Sequence, residues 1–234
     1  MPVALEEFGP QIWIADGPIV TAAAGFRYPT RMAVIRLADR GLFVWSPVAL
    51  AADLRAAVDE LGEVKHIIAP NSLHDTFLAE WRRAYPAARL YAPPGLRRRR
   101  KDLAFDGDLG DAPPAAWVGE IDQVQMRGNL ITTEIVFFHR ASRTAMFTDL
   151  IQHFSPTWFS GWRKLVARLD LMTGREPTVP RKFRNAFIHR RVARAALWRI
   201  LAWPAERVLM AHAAPVRSNG RAFIARAFHW LDPA

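Results

Sequence analysis

Residues 66–85 read HIIAPNSLHDTFLAEWRRAY and divide into three physically distinct pieces. His66 to Ala69 is an apolar run of the length of a short buried strand, and Pro70, which has no amide hydrogen to give a ladder, ends it. Asn71-Ser72-Leu73-His74-Asp75 is a polar loop. Phe77, Leu78, Trp81 and Tyr85 then share one face at helical spacing until Pro86 halts the element. Strand, polar loop and helix in that order form the unit of an α/β layer, where ligands gather outside strand ends.

Upstream, apolar runs at Gln11–Ala15, Ile19–Ala22, Met32–Leu37 and Leu42–Trp45 are punctuated by Asp16-Gly17-Pro18, Tyr28-Pro29-Thr30 and Asp39-Arg40-Gly41. That spacing predicts an antiparallel meander. Ser46-Pro47 predicts a helix start, with Leu50, Leu54, Val58 and Leu61 on the buried face and Gly62 as the stop. Downstream, Arg89–Ala92 reads as a brief strand and the Arg97–Lys101 run as a solvated helix start. Ala115–Gly119, Gln123–Met126, Ile131–Phe138 and Thr144–Phe147 read as further strands, the last two a hairpin around Arg140–Arg143. Arg207–Ala211 is a strand that His212 ends, and Phe223, Ile224, Ala227, Phe228 and Leu231 mark a closing amphipathic helix.

Composition narrows the function classes. At 234 residues and 51% hydrophobic content the chain has enough apolar surface for a sizeable core, so disorder is not the default and residues 1–234 read as one domain. The absence of cysteine removes disulfides, thiolate nucleophiles and cysteine-bound zinc. Only Lys65, Lys101, Lys164 and Lys182 are lysines, which disfavours a Schiff-base mechanism. No run reaches the roughly 18 apolar residues of a spanning helix, and Glu6 and Glu7 stand where an export signal would be basic. The expectation is an unexported, cytoplasmic protein. Its net charge of +10 is concentrated: 11 Arg and Lys against Asp170 and Glu176 between Arg163 and Arg199.

Three polar clusters begin where an apolar strand stops: Asn71 to Asp75, Thr148-Asp149, and His212. Any one reads as a turn or cap; together they offer metal-ligand chemistry at one sheet edge. The order of elements, with the Asn-Ser-Leu-His-Asp loop, the stretch from Phe137 to Leu150 and the Ala-His-Ala-Ala-Pro end, resembles the metallo-β-lactamase superfamily over almost the whole chain, and within it an uncharacterised bacterial branch. The resemblance implies an αββα sandwich carrying a basic, helical, aromatic-rich insertion at about 151–204. The superfamily's first loop reads His-x-His-x-Asp-His, and a later Asp bridges two metal ions.

Carried over by position, the resemblance places Asp149 on the bridging carboxylate, His212 on the late histidine, Asp75 on the motif Asp and Asn71 on its first His. Leu73 and Thr76 replace two histidines, and His74 reaches a ligand position after a one-residue slip. Residues 115–128 contain no imidazole, and Trp45-Ser46-Pro47 stands in place of the usual Asp-Thr-Gly turn. A degenerate set of His74, Asp75, Asp149 and His212 could hold one divalent ion, zinc first and iron or manganese next, or none. The implied activity is hydrolysis of an ester, lactone, amide or phosphoester of unknown identity by metal-polarised water, with Asp75 as catalytic base and Asn71 toward the substrate. The alternative is a non-catalytic binding or membrane-surface protein that has lost its metal.

The remaining histidines read as ordinary. His139 precedes a hairpin turn and, at about 3.4 Å per residue, lies on the order of 20 Å from Asp149. His66, His189 and His229 show no partner pattern, and His153, four residues after Asp149, is the likeliest exception. Trp158, Trp162, Phe183, Phe187, Trp198 and Trp203 interleave the basic segment, with Ile188, Val192, Ala196 and Ile200 as one helical face. A lid ranks first for residues 158–203, an anionic membrane surface second and nucleic acid third.

Overall fold

The structure, a computed structural model, describes residues 5–231. Strands β1 (Glu6–Gly9), β2 (Ile12–Thr21), β3 (Arg27–Arg36) and β4 (Leu42–Trp45) form the antiparallel meander. Helix α1 (Ala52–Leu61) then leads to β5 (Val64–Ile68), α2 (Leu78–Ala84) to β6 (Arg89–Ala92), and α3 (Leu96–Arg99) to β7 (Gly107–Asp108). These three strands add in parallel, giving seven in chain order. The second sheet begins with β8 (Ile121–Met126), β9 (Glu134–His139) and β10 (Thr144–Gln152). The chain leaves through α4 (Gly161–Leu169), α5 (Arg181–Ala186) and α6 (Arg190–Leu201), returns as β11 (Arg207–His212) parallel to β10, and closes with α7 (Gly220–Ala227).

Alternation within the strands builds the layers. Phe43 and Trp45 of β4 face the second sheet and meet Ile135, Phe137, Met146 and Leu209. Their neighbours Leu42 and Val44 point the other way, under Leu54 and Val58 of α1 and Trp81 of α2. Both faces are buried, which is why this strand is apolar throughout. On the far side, Val136, Phe138, Ala145 and Met210 pack beneath Ala193, Leu197 and Ile200 of α6 and Phe223 and Ile224 of α7. The result is the expected αββα sandwich. Its basic segment divides: α6 belongs to the outer helical layer, whereas Phe154, Phe159, Ala167 and Met172 form a small separate cluster against Phe26 and Tyr28.

Several boundaries differ from the expectation. Asp16-Gly17-Pro18 and Tyr28-Pro29-Thr30 are not turns; both lie inside ten-residue strands, paired with a register shift between Gly17 and Val20. Gly17 serves close approach, since a Cβ there would sit 2.4 Å from Val48 Cβ. The first helix begins at Ala52, not after Ser46-Pro47. Val48 is fully buried in the intervening segment, and its carbonyl accepts the Trp81 indole N–H at 2.6 Å. Ala115–Gly119 forms turns, and β10 runs on to Gln152 so that Asp149 lies inside it. In α6 the buried face is Ala193, Ala196, Leu197 and Ile200; of the expected face Ala196 and Ile200 are buried, whereas Val192 in the first turn and Ile188 before the helix are exposed.

Candidate metal centre

Asp149 owes its position to a break in strand pairing. β10 pairs regularly with β11 up to Phe147 and resumes only at Gln152, so the intervening backbone leaves the ladder. Three of its amides turn instead to one carboxylate. Glu134, fully buried at the start of β9, accepts Thr148 N–H on Oε1 at 2.8 Å and Asp149 and Leu150 N–H on Oε2 at 2.8 and 3.1 Å. Burial, and then the neighbouring Asp149 charge, push the Glu134 carboxyl upward, while the amides pull the other way.

Asn71 completes this support. Its side-chain oxygen accepts Leu73 N–H at 2.8 Å and His74 N–H at 3.1 Å, shaping the loop after β5. Its amide donates to Thr148 Oγ1 at 2.8 Å and to Asp149 Oδ2 at 2.7 Å. Asn71 is fully buried, so it holds the carboxylate and the His74 backbone and is not placed to meet a substrate.

Two imidazoles converge on Asp149. His74 Nε2 lies 3.2 Å from Oδ2 and His212 Nε2 3.5 Å from Oδ1. Burial alone would raise the Asp149 carboxyl, but His74 and His212 hold it well below the usual carboxylate range. Each ring is fixed through its other nitrogen: His74 Nδ1 contacts Ser46 Oγ at 2.8 Å, and His212 Nδ1 lies 2.8 Å from the Pro29 carbonyl oxygen. A carbonyl only accepts, so His212 Nδ1 carries the proton. Nε2 is then either a free lone pair or a second N–H.

This donor set fits one divalent ion. Each imidazole faces a different oxygen of Asp149, at 3.2 and 3.5 Å, and tetrahedral zinc accepts nitrogen and carboxylate oxygen donors of this kind. The ligand atoms of His74, Asp149 and His212 all lie within 4.8 Å of one another. Hydrogen bonds from the outer ring nitrogens are the support that orients metal-binding imidazoles. Among the described residues the cluster has three members, which leaves at least one coordination position toward a cavity of about 240 Å³. Val20, Phe77, Ile131 and Phe183 supply apolar wall; Lys182 and Gln152 add a cation and an amide. Gln152 donates to Asp149 Oδ1 at 3.4 Å, and its buried Oε1 has no partner among the described residues.

The structure therefore brings together His74, Asp149 and His212, and separates Asp75 from them. Asp75 Oδ2 is taken by Arg99 at 3.2 Å and Arg100 at 3.4 Å, and the residue lines neither cluster nor cavity. Its carboxylate serves the arginines of α3 and its exit and not the three-residue cluster. His153 also stays apart, with Nε2 on the Gly174 carbonyl, and His139 contacts Ser142 Oγ. Ser46, Glu134, Gln152 and Lys182 are additions. Glu134 had a readable sign, a lone charge opening an apolar strand. Ser46 had only its place in the Trp45-Ser46-Pro47 segment, and its left-handed φ of 52° is a property of the folded loop.

Residues 11–160 match the family described as Domain of unknown function (DUF4336). No curated protein matches the sequence. Solved structures match over almost the whole of this chain: the DIM-1 metallo-β-lactamase is 14% identical, with 99% of each chain covered and a TM-score of 0.64. The FIM-1 metallo-β-lactamase from Pseudomonas aeruginosa, in its mono-zinc form, is 12% identical over 100% of this chain and 98% of that one, at 0.63. A metal-soaked Flv1 flavodiiron core from Synechocystis is 13% identical over 98% of this chain and 60% of that one, at 0.64. The chain belongs to the DUF4336 family and has the metallo-β-lactamase fold.

Proposed function

We propose that this protein is a metal-dependent hydrolase with one ion held by His74, Asp149 and His212. The observation that carries the reading is the His212 tautomer: with Nδ1–H on the Pro29 carbonyl, the neutral ring presents its Nε2 lone pair toward Asp149 and His74, where a cation satisfies all three. Two neutral imidazoles and one carboxylate suit zinc first, then iron or manganese. FIM-1, of the same fold, is known in a mono-zinc form, which supports a single-ion reading.

A bound ion there supplies Lewis-acid polarisation of a carbonyl or phosphoryl oxygen and a lowered pKa for water. The chain's own groups do the rest. Asp149 is the one carboxylate among the residues lining the cavity, and as a ligand it would offset part of the ion's charge. Lys182, held by Tyr28 Oη at 3.1 Å and paired with Asp170 Oδ2 at 3.6 Å, adds a polar, partly neutralised group to the wall. The apolar wall excludes water from the substrate body. An ester, lactone, amide or phosphoester of small size fits these requirements.

The competing reading is a binding protein without metal, in which His212 carries two protons and pairs directly with Asp149 at 3.5 Å. The test is chelator-stripped protein restored with zinc, iron(II) or manganese and assayed on a panel of these substrates. Activity should return with metal and fall at least about 100-fold in His212→Ala. Hydrolysis that chelation leaves unchanged contradicts the proposal.

A further inference from the structure

Helix α4 is built inside out. Trp162, Leu165, Val166 and Leu169 stand at i, i+3, i+4 and i+7, the spacing of a core-facing stripe. They are instead 54%, 60%, 40% and 56% exposed, while the side packed on the body is represented by buried Ala167. An apolar stripe presented to solvent is a surface that something else covers.

Its position is set by the tip of the β2–β3 hairpin. The Phe26 ring lies 5.3 Å from Phe159 and 5.7 Å from Trp162, Trp158 Nε1 donates to the Arg27 carbonyl, and Arg163 Nε donates to the Ala24 carbonyl. The same hairpin lines the cavity through Val20, Ala22 and Tyr28. Leu73 and Ile131 line it too and are each 43% exposed, so the cavity also presents apolar side chains to solvent.

We propose that α4 docks this protein on an anionic lipid bilayer, its apolar stripe in the headgroup region and the cavity mouth beside the membrane. Charge selects this occupant. Arg163 and Arg168 border the stripe, Lys164 adds a third cation on the same helix, and no acidic residue occurs from Gly161 to Leu169. A second copy would bring two such segments together; an anionic surface neutralises them. Trp158 and Trp162 have the amphipathic rings that settle at lipid headgroups. Among the described residues no helix is long and apolar enough to cross a membrane, so the attachment is in-plane. The proposal is independent of the metal reading.

The experiment is co-sedimentation of the full chain with vesicles of phosphatidylcholine, with and without phosphatidylglycerol, over a salt series, while recording tryptophan emission. Binding should require phosphatidylglycerol, weaken with salt and shift the emission to shorter wavelength. Leu165→Gln with Leu169→Gln, at exposed positions that leave the fold intact, should weaken it at least about tenfold. Lys164→Gln and Arg168→Gln should each weaken it about fivefold. Absent binding to phosphatidylglycerol vesicles at low salt overturns the proposal, as does equal binding by the leucine variant. A vesicle-free dimer that the same leucine substitutions dissolve overturns it too, by assigning the stripe to a second copy, and so does salt-sensitive binding of duplex nucleic acid in the absence of vesicle binding.

Discussion

His212 Nδ1 lies 2.8 Å from the carbonyl oxygen of Pro29, joining the end of β11 to the middle of β3. The edge strand of the second sheet is tied here to an interior strand of the first, and Arg31 reinforces the tie by donating to the carbonyls of Met210 and Ala213. The proton that His212 places on Pro29 determines which nitrogen is offered to the cavity. The sheet-to-sheet junction and the chemistry of the site are therefore one arrangement.

Ser46 does for His74 what Pro29 does for His212, through a 2.8 Å contact with Nδ1. Ser46→Ala should lower zinc affinity about 10- to 100-fold, measured by competition with a chromophoric chelator, with the fold retained. Unchanged affinity would show that the His74 ring is held by packing alone.

Glu134 satisfies three backbone amides that strand pairing abandons, so Glu134→Ala leaves buried donors without an acceptor. The expected cost is about 3–5 kcal/mol, read from the urea midpoint at unchanged slope. A loss under about 1 kcal/mol would mean that water enters the gap and replaces the carboxylate.

Asp75→Asn separates the two positions that the loop motif offered. Its carboxylate serves Arg99 and Arg100, so the variant should keep its metal and lose about 1 kcal/mol or less of stability. A drop in metal stoichiometry would return Asp75 to the ligand set.

Burial lowers His66 and His139 from 6.5 to about 4 in the folded protein. The unfolded chain therefore binds more protons than the native one between those values. The stability contributed by the neutral rings is complete above about pH 6.5 and is lost as pH falls toward about 4. Urea midpoints should decline across that window, and His66→Gln should reduce the slope. A flat profile from pH 6.5 to 4.5 would contradict the assignment.

The fold was legible because period-two strands and three-four helices are local patterns. Leu42–Trp45 and Arg89–Ala92 appear with the boundaries expected from sequence. The errors fell where tertiary contact overrides local preference. Gly17 and Pro29 are turn residues by type, yet one admits Val48 and the other supplies a carbonyl to His212. At the site, three strand ends pointed to His74, Asp149 and His212. Asp75 lies outside that cluster, a distinction made by Arg99 and Arg100, which the loop sequence does not contain.

Elemental analysis of untagged protein, beside His212→Ala, addresses the centre most directly. The account predicts about one divalent ion per wild-type chain, a large loss of it in the variant, and a melting temperature that falls when chelator is added. Metal-free wild-type protein whose melting temperature ignores chelator and added zinc would show that His74, Asp149 and His212 pair with one another instead of with a cation.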